Sequence, residues 1–137
     1  MKRILSTGIA LSMVAGAALA AAHSNPAVEG ADQDVSGGTV TASSIVAPAN
    51  GWLVVHRTDA EMKPGLVVGH APLKAGENTD VAAILTEAVA PGEKLMLMLH
   101  GEDGGMSTGI FEYTLGAKED GPVRVDGDLV MAVVTAR

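Results

Sequence analysis

Cysteine is missing from all 137 residues. That excludes disulfide staples, zinc-thiolate and iron-sulfur centres, a blue-copper thiolate and a cysteine nucleophile, and it removes the residue on which a bacterial lipid anchor would be built. Aromatic residues are almost as scarce, with Trp52, Phe111 and Tyr113 as the whole supply. A carbohydrate platform of stacked rings has little to be built from. Positive charge is also short: nine Lys and Arg stand against sixteen Asp and Glu, a formal balance of −7. A chain that acidic is repelled by phosphate backbones, so nucleic acid and anionic membrane surfaces are poor partners.

The N-terminus carries what the rest lacks. Lys2 and Arg3 precede an uncharged stretch from Ile4 to Ala22, which ends in small residues. This is the order of a secretory signal peptide, with cleavage expected after Ala20 or after Ala22. An uncleaved membrane anchor is the competing reading, since the stretch is just long enough to span. Ser6, Thr7, Gly8, Ser12 and Gly16 dilute its apolar character and favour export. Loss of the two basic residues would take the balance to −9. The expected division is a signal peptide at 1–22, a flexible lead at 23–32 and one domain at 33–137, in a periplasmic or secreted location. No later stretch is suited to stable membrane insertion.

From residue 33 onward, short β-branched runs alternate with Gly, Pro, Asn and Asp clusters, the pattern of an all-β chain. Strands are expected at 39–47, 52–56, 66–70, 78–85, 95–99 and 110–115. A closing hairpin joins 123–125 to 129–135 through Asp126-Gly127, where glycine supplies a positive φ. Helix is the competing reading for 81–89, where alanine is frequent. Trp52, Val54 and His56 share one face of their strand and Leu53 and Val55 the other. Leu95-Met96-Leu97-Met98-Leu99 is apolar on both faces, as in a strand covered on each side. Seven or eight strands in about a hundred residues predict a Greek-key β-sandwich, with a small barrel as the alternative.

Several landmarks recur in a recognisable order: Asp34-Val35 with Ser36-Gly37-Gly38-Thr39-Val40, Gly51 to His56, Pro64 to His70, Lys74-Ala75-Gly76-Glu77, Leu95 to His100, Phe111-Glu112-Tyr113 and Gly121-Pro122-Val123. Together they make the chain resemble a family of secreted or surface-exposed domains of unknown function with an Ig-like β-sandwich. The resemblance implies fold and export, and no activity.

Candidate chemistry is sparse. Ser107 stands in no nucleophile elbow, and Asp59 and Glu61 form no recognisable carboxylate pair, so no catalytic residue is assigned and a non-enzyme is expected. No cofactor is implied. The loop Gly101-Glu102-Asp103-Gly104-Gly105 has oxygen donors for calcium, though fewer than that ion takes. His56, His70 and His100 remain, with Met62, Met96, Met98 and Met106 as soft donors, and His23 if cleavage exposes it. Imidazole and thioether together suit copper, and imidazole suits zinc. No two of these histidines are close in sequence, and the ordinary reading of His56 and His100 is a polar strand end facing solvent, with Met96 and Met98 as core. The expected function is therefore an exported non-enzymatic module that binds an envelope or extracellular ligand or serves a structural role. The alternative is a periplasmic copper- or zinc-binding protein using His56, His70 and His100 with methionine support.

Overall fold

A computed structural model describes residues 24–137. The expected signal peptide and His23 lie outside the described residues. Nine strands run in order: β1 (Ala27–Glu29), β2 (Thr39–Ala47), β3 (Gly51–Thr58), β4 (Val67–Leu73), β5 (Gly76–Ile84), β6 (Lys94–Gly101), β7 (Arg124–Val125), β8 (Asp128–Leu129) and β9 (Met131–Thr135). They form a three-stranded sheet in the order β1-β2-β5, a four-stranded sheet in the order β4-β3-β6-β9, and the small pair β7-β8, every ladder antiparallel. Among the described residues there is no helix, and none long and apolar enough to cross a membrane. The helical alternative at 81–89 gives way to strand through Ile84, because Val81, Ala82, Ala83 and Ile84 are held in register against Ala42, Thr41, Val40 and Thr39.

The two main sheets face each other across one apolar interior. Val28, Val40, Ala42, Ile45, Ala47 and Ala83 come from the smaller sheet, and Leu53, Val55, Val68, Leu95, Leu97, Leu99 and Val134 from the larger. Removing these side chains from water is the main stabilising term, at about 1.5–3 kcal/mol for each large one. The alternation in β3 and β6 then forces a second consequence. Trp52, Val54, His56, Met96, Met98 and His100 point away from that interior, yet every one of them is buried. Their cover is the long connection between β6 and β7, so β6 is enclosed on both faces.

Two expectations need correction. The segment 110–115 is no strand: the Glu112 amide donates to the Asp120 carboxylate at 2.8 Å instead of joining a ladder, and Ile110 is exposed while Tyr113 is buried. Nor is 23–32 a flexible lead throughout. β1 pairs with β2 through Val28↔Ile45, and Val28 packs into the interior. A single buried valine between Ala27 and Glu29 offers no periodicity, and an added edge strand need be no longer than that.

The closing hairpin is present in shortened form. Asp126 and Gly127 both take positive φ, 52° and 90°, the turn that suits two-residue hairpins, and they join β7 to β8. Beyond Val130 the chain leaves the hairpin and pairs β9 with β6.

Candidate functional site

β3 and β6 are neighbours, and their register sets the outer face of the four-stranded sheet in rows: Trp52 opposite His100, Val54 opposite Met98, His56 opposite Met96. His56 and His100 therefore lie two rows apart, with the Val54–Met98 row between them. Their rings lean together over it, Nε2 to Nε2 at 3.4 Å and with centroids 5.5 Å apart. Both residues are 0% exposed. The expectation that each caps a strand toward solvent is thus overturned. A polar strand end is open to water only when nothing is folded over it, and here the 102–122 connection is.

Each imidazole is fixed by its other nitrogen. His56 Nδ1 donates to the Gly65 carbonyl at 2.8 Å, and His100 Nδ1 donates to the Asp120 carbonyl at 2.6 Å. A carbonyl oxygen only accepts, so both Nδ1 atoms carry hydrogen. The Gly65 carbonyl reaches His56 because the 64–66 segment lies tight against β3. The Gly65 amide donates to the Arg57 carbonyl at 2.7 Å, and a Cβ at 65 would stand 2.7 Å from that same oxygen.

These bonds decide what lies between the rings. Two neutral imidazoles hold two hydrogens, and both are spent on Nδ1. Both Nε2 lone pairs consequently face each other across 3.4 Å with no hydrogen between them. Burial pushes the His100 imidazole down to about 4, with the neighbouring His56 contributing in the same direction, and burial lowers His56 as well. At neutral pH the pair is neutral and one positive charge short of satisfying all its acceptors.

The cover supplies the remaining wall. Tyr113 sets its ring edgewise to His100 at 4.5 Å and to His56 at 5.9 Å. Asp120, fully buried with φ of 46°, is the clasp. Its Oδ1 accepts from the Asp103 amide at 3.1 Å, its Oδ2 from the Glu112 amide, and its carbonyl from His100. No Lys or Arg pairs with this carboxylate among the described residues.

His70 does not join the pair. It is exposed on β4, stacks on Phe111 at 4.3 Å and 25°, and meets the Trp52 ring edgewise at 5.7 Å. All three aromatic residues of the chain thus gather on the histidine-bearing face. The 101–105 loop, with its oxygen donors, is otherwise engaged: Glu102 accepts from Trp52 Nε1 at 2.9 Å, and the Asp103 carbonyl accepts from the Asp120 amide at 2.8 Å. Among the described residues no three or more His, Cys, Asp or Glu side chains gather as a metal cluster. Sequence reasoning passed over Asp120, whose only local signal is that it precedes Gly121-Pro122 like many turn aspartates.

Residues 26–137 match the model of a family described as a domain of unknown function, DUF7282. No curated protein matches the chain, and no solved structure does.

Proposed function

The chain belongs to this family of domains of unknown function, and from that premise we propose that it is an exported, non-enzymatic binding module of the envelope or extracellular space whose ligand centre is the His56–His100 pair. One observation carries the reading: two buried imidazoles have committed both hydrogens elsewhere and present two bare Nε2 lone pairs to a single point. Such an arrangement costs stability unless something positive is held there. The centre is therefore a receptor for a small cation enclosed by the sheet and its cover.

Export is supported by Lys2 and Arg3 ahead of the uncharged 4–22 stretch and its small-residue end. The non-enzymatic reading is supported by how the histidines are held. Each gives its Nδ1 hydrogen to a main-chain carbonyl and not to a carboxylate, and neither ring is open to a substrate. The passage of the chain between the three- and four-stranded sheets, with β2 pairing β5 and β3 pairing β6, supports an immunoglobulin-like Greek key.

Cell fractionation with N-terminal sequencing tests export, with a mature chain starting at Ala21 or His23 as the expected result. Native mass spectrometry of protein purified from its own envelope without chelators tests the centre. A one-to-one cation adduct that disappears in His100→Gln is expected. An adduct-free chain, or an adduct that survives the substitution, overturns the reading.

A further inference from the structure

The geometry points to a single monovalent copper ion, copper(I), as the cation held between His56 Nε2 and His100 Nε2, with the Met98 thioether as its third ligand. This inference rests on the reading of the pair as a ligand centre and adds the identity of the ligand.

Three observations converge on it. The first is distance. Metal–imidazole bonds run about 2.0–2.1 Å, so two of them closing on a 3.4 Å gap meet at roughly 110–115°. That angle is far from the straight line a two-coordinate ion adopts, and it asks for a third donor on the open side.

The second is the donor available. Met98 lies in the row between the two histidine rows, on the same face of the sheet, and is 1% exposed. Met96 stands in the His56 row of that face and is fully buried. Neither methionine belongs to the interior between the two sheets. Both are buried core methionines as expected, packed on the histidine-bearing face of the sheet. Two imidazoles with a thioether form a soft donor set, which selects copper(I). Zinc prefers four donors drawn from imidazole, thiolate and carboxylate; the one carboxylate beside the pair, that of Asp120, is spent on the Asp103 and Glu112 amides, and no cluster of three such side chains is found among the described residues.

The third is charge. The histidines are neutral ligands, and the one buried acid beside them, Asp120, has no cationic partner among the described residues. A single positive charge balances that carboxylate, whereas a divalent ion would leave a net charge in a site closed to water.

The test uses the processed chain, free of metal, under a reductant, in competition with a chromophoric copper(I) chelator. One copper(I) per chain is expected, with X-ray absorption showing two nitrogen neighbours and one sulfur. Affinity should fall at least 100-fold in His100→Gln and about 10-fold in Met98→Leu, and should not change in His70→Gln. Met98→Leu keeps volume and apolar character, so it tests the site even if His100→Gln fails to fold. Equal affinity in wild type and Met98→Leu, or a spectrum without sulfur, overturns the thioether assignment. Zinc(II) taken up in place of copper(I), and lost in His100→Gln, overturns the copper assignment while the ligand centre stands. Failure to bind either ion, together with an adduct-free native mass, overturns both.

Discussion

At the scale of single residues, the fold places its most demanding chemistry in two side chains that the sequence presents as ordinary strand ends. His100 has no water to share its charge and is faced by His56, the Asp120 carbonyl and carboxylate, and the Tyr113 ring. Its folded value of about 4 lies below the usual 6.5. Between those values the unfolded chain binds a proton that the folded chain refuses, so folding is favoured less as pH falls. The contribution is complete above about 6.5, is lost progressively toward about 4, and amounts to about 3 kcal/mol, with His56 acting in the same direction. For the metal-free chain, urea midpoints measured from pH 7 to pH 4 should therefore drop, and more steeply than in His100→Gln. A midpoint that stays level across that range would show that the ring is not held neutral by burial.

At the scale of elements, the decisive one is not a strand. The 102–122 connection lies over the outer face of β3 and β6 and is held by Asp120 and by the bond from Trp52 Nε1 to Glu102. Asp120→Ala removes the acceptors of two part-buried amide bonds and places an alanine at a φ of 46°, where Asp and Asn are tolerated better. The expected cost is about 2–4 kcal/mol, with faster hydrogen exchange at the Asp103 and Glu112 amides while β2 and β5 exchange as before. Unchanged protection at those two amides would mean that the Asp120 carboxylate does not hold the cover.

The sequence made the strands under that cover legible for a plain reason. Leu95 to Leu99 alternates two apolar sets, and Leu53 and Val55 alternate with Trp52, Val54 and His56, so both faces of β3 and β6 could be read. What closes the outer face could not be read. The Phe111-Glu112-Tyr113 run has strand propensity, and only the bond from the Glu112 amide to the Asp120 carboxylate, eight residues on in the same loop, shows that its backbone is committed elsewhere. The meeting of His56 with His100 is likewise a product of register between strands forty-four residues apart, which no local pattern encodes.

At the scale of the whole molecule, a chain without disulfides has to secure two sheets to each other by packing and hydrogen bonds, and the segment before β2 is one of the means. β1 extends the smaller sheet, while Gln33 bridges to Ala136 just beyond β9 of the larger. Asp32 Oδ1 accepts from the Thr135 amide at 2.8 Å, and the Gln33 side chain both accepts from the Thr41 amide and donates to its carbonyl. A Cβ at Gly30 would stand 2.9 Å from the end of Leu97 and 3.2 Å from Val134, so the chain passes directly over the seam of the interior. A protein that begins at Gln33 loses the burial of Val28, the three β1–β2 pairs and the Asp32 bond. With about 2 kcal/mol for the valine and about 1 kcal/mol for each net hydrogen bond, the loss is at least about 3 kcal/mol. Urea unfolding of that shortened chain against one that begins at His23 measures it directly. A flexible lead would leave the two midpoints equal; a strand that joins the sheets moves the midpoint down and, by baring the edge of β2, raises the tendency of the shortened chain to self-associate.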